Sequence, residues 1–120
     1  MIDHITLKVS NLEKSKQFYE EVLSEIGIIK KADYEESVGF GHGNSQTAPE
    51  LWIAGGEPNQ THLAFRVDSE DEVKRFYDKA IELGAKDNGA PGIREHYAPN
   101  YYACFWHDLD GNNIEAVYYK

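Results

Sequence analysis

Residues 4–27 and 62–84 are near copies, "HITLKVSNLEKSKQFYEEVLSEIG" and "HLAFRVDSEDEVKRFYDKAIELG". A chain that writes one unit twice is constrained to fold as two like halves. A shift of 58 positions sets His4 on His62, Val9 on Val67, and Phe18-Tyr19 on Phe76-Tyr77. The helix-ending glycines, Gly27 and Gly84, align after a one-residue slip. Each copy then runs on to a strand-like segment carrying a glutamate, Glu50 in "PELWI" and Glu115 in "IEAVYY".

Within each copy the period changes from two to 3.6. Ile5, Leu7 and Val9 alternate with His4, Thr6 and Lys8, which predicts a strand over about 2–9 with the two sets on opposite faces. A helix from about Asn11 to Ile26 follows, with Ser10 and Glu13 as a capping box. Its buried stripe is Leu12, Phe18, Tyr19, Val22, Leu23 and Ile26. In the second copy His62, Ala64 and Arg66 share one strand face, Ser69 and Glu72 give the capping box, and Val73, Phe76, Tyr77, Ala80 and Leu83 form the stripe. Short strands are expected in "GIIKKADY", "SVGFGHG" and "PELWIAG", and again near 93–97, 101–107 and 113–119. "DLDGNN" is a hairpin signal, because Asp-Gly and Asn accept the positive φ of a tight turn. The predicted class is α+β: two β-α-β-β-β modules, 1–54 and 61–120, forming a mixed-sheet cleft within one domain over 1–120.

The chain of 120 residues suits one domain. Its formal charge of −9, from 21 acids against 12 bases, argues against a nucleic-acid partner, which needs clustered Lys and Arg. No apolar run approaches the ~20 residues of a membrane span, and no signal-peptide h-region is visible. The one cysteine, Cys104 in "YYACFW", reads as a buried strand thiol. These features lead to the expectation of a cytoplasmic protein.

Chemistry is expected at the paired His and Glu residues. His4 and His62 fall on the strand faces away from the helices, and a carboxylate within "PELWIAG" or "NIEAVYY" is costly to bury without a partner. Two histidines and two glutamates in matching positions suit a divalent first-row ion. The expected cofactor is therefore one divalent ion per site, Ni, Co or Zn first, with Fe or Mn as alternatives. Trp52, on the strand face of Glu50, is the expected aromatic wall. Arg66 reads either as a residue that meets an anionic substrate group or as a strand-end Arg reaching solvent. Arg94, Tyr97, Tyr101 and Tyr102 are candidates for the pocket mouth, the tyrosines equally so as half-buried strand residues. His42, His96 and His107 lie in or beside turns and read as ordinary surface or capping residues.

The opening "IDHITLKVSNLEKSKQFYEEVL", the central "THLAFRV" and the closing "FWHDLDGNNIEAVYY" resemble the vicinal oxygen chelate superfamily. That superfamily includes glyoxalase I, bleomycin and fosfomycin resistance proteins, methylmalonyl-CoA epimerase and extradiol dioxygenases. The ending is similar to the family's F-x-D-P-D-G-N-x-I-E, with Leu109 where proline is common. The resemblance implies metal ligands at His4, His62 and Glu115, and Glu50 as a fourth as in glyoxalase I. It further implies a metal-dependent lyase or isomerase acting by proton transfer on a small α-hydroxycarbonyl or thiohemiacetal. Glu115, or Glu50 in its place, would be the base. Lys8 stands where glyoxalase I often carries an arginine for glutathione, and Ala54 where it commonly carries an asparagine. Other activities within the resemblance are a non-catalytic ligand-binding or resistance role and iron-dependent ring cleavage. A small-molecule substrate and a homodimer are the expected partners.

Overall fold

The computed structural model describes residues 2–43 and 48–120. Alternation in "ITLKV" produces β1 (Ile5–Val9), with Leu7 and Val9 buried and Thr6 and Lys8 exposed. Helix α1 (Leu12–Ser24) starts one residue later than the capping-box reading: Asn11, not Ser10, is the N-cap, its side chain accepting from the Lys14 amide. Asn and Ser serve equally well as caps, so their adjacency leaves the boundary to tertiary packing. Phe18, Tyr19, Val22 and Leu23 are buried along the expected stripe. Beyond α1 come β2 (Ile28–Asp33), β3 (Ser37–His42) and β4 (Leu51–Gly55), in a four-stranded sheet ordered β1-β4-β3-β2. The β1–β4 pair is parallel and the others antiparallel.

The second unit repeats the plan with β5 (His62–Arg66), α2 (Glu70–Glu82), β6 (Lys86–Asp87), β7 (Gly92–Ile93), β8 (Tyr101–His107) and β9 (Asn113–Tyr119). The sheet runs β5-β9-β8-β6, with β7 also on β8 and β5–β9 as the parallel pair. Ser69 caps α2 as expected, accepting from the Glu72 amide, while the Glu72 carboxylate reaches back to the amide of Asp68. The strand expected at 93–97 is only Gly92–Ile93, and Lys86–Asp87 is a strand without a sequence signal. Together β6 and β7 stand where β2 stands in the first unit. Gly89, at φ +144, and Pro91 interrupt them.

The chain divides into two compact units, Met1–Asn59 and Gln60–Lys120. In the first, Leu7, Val9, Val38, Phe40, Leu51 and Ile53 form the buried sheet face. In the second, Phe76 lies 5.2 Å from Trp106, centroid to centroid, and the Cys104 thiol faces the Val73 carbonyl at 3.6 Å. Burial pushes that thiol up to about 12, so it is an inert core group. Among the described residues no helix is long and apolar enough to cross a membrane.

The turn before β9 ties the strands of the second unit together. Asp108 Oδ1 accepts from the amides of Asp110 and Asn112, and its Oδ2 from the Asn112 side chain, each at 2.9 Å. Asn112 Oδ1 accepts from the Thr61 amide at 2.9 Å, and the Thr61 carbonyl accepts from the Asn113 amide at 2.9 Å. These bonds fix the start of β9 against the start of β5, where His62 stands.

Candidate metal centre

In the second unit the parallel register sets His62 opposite Asn113 and Ala64 opposite Glu115, so both candidate ligands share the face away from α2. Glu115 is 2% exposed. Its Oε1 lies 3.1 Å from His62 Nε2, while His62 Nδ1 lies 2.9 Å from the Asn113 carbonyl. A carbonyl only accepts, so Nδ1 carries the proton and Nε2 turns its lone pair toward the carboxylate. Two acceptors that close repel unless a proton or a cation stands between them. Imidazole nitrogen and carboxylate oxygen suit a divalent first-row ion, and an Nδ1–H bonded to a carbonyl is how a ligating histidine is held. This pair therefore fits a metal ion as two of its ligands.

The second carboxylate oxygen is also committed. The Tyr101 hydroxyl donates a short hydrogen bond to Glu115 Oε2. Burial, reinforced by the neighbouring carboxylate, holds the Tyr101 phenol well above its ordinary range, so the hydroxyl stays protonated. Phe105 stacks on His62 with centroids 6.4 Å apart, and Tyr97 packs edge-on against both Phe105 and Tyr101. These side chains, with Arg94, Asn88 and Asn113, line a concavity of about 590 Å³. Arg94 is anchored by the carbonyls of Gly92, Ala90 and Ala103 at 2.7, 2.8 and 3.2 Å. Its guanidinium lies 5.4 Å from the Phe105 ring centroid. Gly89 makes room for it, since a Cβ there would sit 2.9 Å from Arg94 Nη2. None of the described carboxylates forms an ion pair with Arg94.

In the first unit, His4 precedes β1 and is exposed, its Nδ1 donating to Asp3 Oδ1 at 2.6 Å. That bond again leaves Nε2 as the free nitrogen. Glu50 precedes β4 and pairs with His42 Nδ1 at 3.0 Å, and the imidazole beside it holds its carboxyl below the usual range. The two strand registers place Glu50 differently from Glu115. Thr6 pairs with Trp52 in β1–β4, and its repeat counterpart Ala64 pairs with Glu115 in β5–β9. Trp52, not Glu50, thus occupies the position equivalent to Glu115, and Glu50 corresponds to Asn113. Trp52 stacks on Tyr34 at 6.1 Å and 11°, above Gly39, where a Cβ would come within 3.1 Å of the indole. Lys8 lines a concavity of about 620 Å³ with Glu35, Glu36 and Ala54. Among the described residues, no three His, Cys, Asp or Glu side chains are grouped to hold an ion.

Of the remaining candidates, Arg66 shares the His62 face and lies over the Tyr119 ring at 4.8 Å. Tyr102 is buried on the opposite face of β8, with Cys104 and Trp106, and is absent from the concavity; Tyr101 stands in its place. His96 packs on Tyr97. Arg94, Tyr97 and Tyr101, expected at the pocket mouth, line the concavity, while His42, read as a surface residue, pairs with Glu50. Strand parity with Glu115 was the available signal for Tyr101, while nothing in the sequence marked the His42–Glu50 pair.

The fold and this half-site define the class. The chain belongs to the glyoxalase/bleomycin resistance protein/dioxygenase superfamily, whose family model matches residues 1–116. Among curated proteins it is 27% identical over 119 residues to a metallothiol transferase FosB of Shouchella clausii, covering 96% of this chain and 77% of that protein. A second metallothiol transferase FosB, from Lysinibacillus sphaericus, is 33% identical over 95 residues, covering 68% of this chain and 58% of that one. A solved glyoxalase/bleomycin resistance protein from Albidiferax ferrireducens matches with a TM-score of 0.83 at 25% identity over 97% of both chains. Lactoylglutathione lyase from Agrobacterium tumefaciens, at TM-score 0.71 and 19% identity over 98% and 92%, shares the fold.

Proposed function

We propose that this chain is a divalent-metal-dependent enzyme of the thiol-transfer type, with His4, His62 and Glu115 as its metal ligands. The observation that carries the reading is the His62 Nε2 lone pair aimed at the buried Glu115 carboxylate from 3.1 Å. The curated relatives named metallothiol transferases support the reaction type. Consistent with it, the strand register puts Trp52 rather than a carboxylate opposite Thr6, so Glu50 does not repeat the position of Glu115. When bound, the ion supplies Lewis-acid stabilisation of charge developing on a substrate oxygen.

The rest falls to side chains. In the transfer, a thiol sulfur bonds to an electrophilic carbon of the substrate. A carbon–oxygen bond breaks with its electron pair passing to the oxygen, and the thiol proton passes to solvent. Arg94 is a cation fixed in the concavity and free to take an anionic substituent on the substrate, which orients the carbon under attack. Phe105 and Tyr97, packed edge-on, give the concavity an aromatic side for the apolar part of the substrate.

A second reading keeps the proton-transfer lyase of glyoxalase I type, with Glu50 as an added ligand or base. The Ile5 amide donates to the Glu50 carbonyl at 3.0 Å, which sets the Glu50 backbone against the start of β1, next to His4. The two readings are separated by assaying protein loaded with Ni, Co, Zn, Mn or Fe. Thiol consumption with small epoxides is followed beside thioester formation from 2-oxoaldehyde hemithioacetals. Thiol transfer lost in His4→Ala and His62→Ala supports the proposal. Thioester formation without thiol transfer, or failure to retain any ion, overturns it.

A further inference from the structure

We infer that Tyr101 is a positioning residue that assigns the two Glu115 oxygens different tasks, Oε2 to its own hydroxyl and Oε1 to the ion. The inference rests on the metal reading above and deepens it. A free carboxylate chelates through both oxygens or through either one. Here Oε2 accepts the Tyr101 hydroxyl while Oε1 faces His62 Nε2. The side chain has no solvent-exposed alternative, being 2% exposed.

The register explains how the phenol reaches this oxygen. On the shared face, Tyr101 pairs with Tyr119, Ala103 with Val117, and Phe105 with Glu115. Tyr101 therefore stretches across two rows, over the one β8 residue between them on that face. That residue is Ala103, whose methyl leaves the path open. The ring is held on both sides by edge-on contacts with Tyr97 at 5.4 Å and Tyr119 at 5.3 Å. A hydroxyl so placed fixes the carboxylate rotation before any ion arrives. It also leaves Oε1 as the oxygen turned toward His62, which makes Glu115 a one-oxygen ligand.

The test is a cobalt(II) titration of the full-length wild type, Tyr101→Phe and Tyr119→Phe, read by calorimetry and by the visible absorption of the bound ion. Loss of an outer hydrogen bond to a ligand weakens metal affinity about 10- to 100-fold. Tyr101→Phe is expected to show that loss with a changed cobalt spectrum, because the released Oε2 turns to the ion. Tyr119→Phe keeps the ring and is expected to match wild type in both readouts. Ala103→Val, which retains the hydroxyl but blocks its path, is expected to reproduce the Tyr101→Phe spectrum. Wild-type affinity and spectrum in Tyr101→Phe would overturn the inference while leaving the metal reading intact. A wild-type protein that binds no cobalt overturns both.

Discussion

Replacing Glu115 with glutamine separates the stability of the protein from its use of an ion, because the two respond with opposite sign. In the ion-free protein His62 Nε2 and Glu115 Oε1 face each other 3.1 Å apart, with the glutamate only 2% exposed. The amide of Glu115→Gln has nearly the same shape. Its NH₂ donates to the His62 lone pair and its carbonyl accepts the Tyr101 hydroxyl, so both contacts of the native side chain are kept. A hydrogen bond of this kind is worth about 1 kcal/mol net, so the ion-free variant is expected to equal or exceed wild type by that amount. The benefit of an ion disappears with the charge. At a free ion concentration 100 times its Kd, wild type gains about 2.7 kcal/mol. An unfolding entropy of about 2.1 cal/mol/K per residue, over this chain length, converts that gain to a Tm rise of roughly 11 °C. Thermal unfolding followed by circular dichroism, with chelator and with excess zinc, reads both effects. An ion-induced rise retained in Glu115→Gln, or an ion-free variant that melts well below wild type, would rule out this role for Glu115.

Other outcomes follow from separate parts of the molecule. Glu50→Gln is expected to leave ion affinity unchanged, because the Glu50 carboxylate belongs to His42 and Trp52 holds the register position of a fourth ligand; weaker binding by calorimetry would restore the four-ligand reading. Phe76→Ala should cost about 3–5 kcal/mol in urea unfolding, since the ring is fully buried against Trp106 and Phe65. The Gly89 amide and then the Tyr77 hydroxyl hold the Asp87 carboxyl below its usual range, so its ionised form stabilises the fold. That contribution is complete above about pH 4, the ordinary aspartate value, and is lost as pH falls through the lowered folded value. Asp87→Asn should therefore flatten the acid side of the stability profile. Cys104, raised by burial to about 12, should resist thiol reagents at neutral pH in the native protein, with labelling that tracks unfolding.

Much of this was legible in the chain because the relevant physics is local. The period-two alternation around His4 and His62 fixed both strand faces, and Ser69 with Glu72 marked the start of α2. The hairpin pairing of Phe105 with Glu115 was implicit in the Asp-Gly turn. Following it back along β8 selects Tyr101 over Tyr102, which has the wrong parity. The equivalence of Glu50 and Glu115 failed for a subtler reason. A slip of two residues leaves a side chain on the same sheet face, so alternation cannot detect it and only the inter-strand bonds decide. The split of the outer strand into β6 and β7 was invisible because two-residue strands have no periodicity. The Arg94 anchor depends on carbonyls from Ala90, Gly92 and Ala103, and backbone acceptors leave no mark in a sequence.

X-ray absorption at the metal edge of zinc-loaded protein reports the donor atoms of the proposed site themselves. The expected result is one ion per chain with two imidazole nitrogens at about 2.0–2.1 Å and a carboxylate oxygen at about 2.0–2.2 Å. One imidazole signal should vanish in His4→Ala and one in His62→Ala. A first shell without imidazole, or one unaltered by His62→Ala, would contradict it.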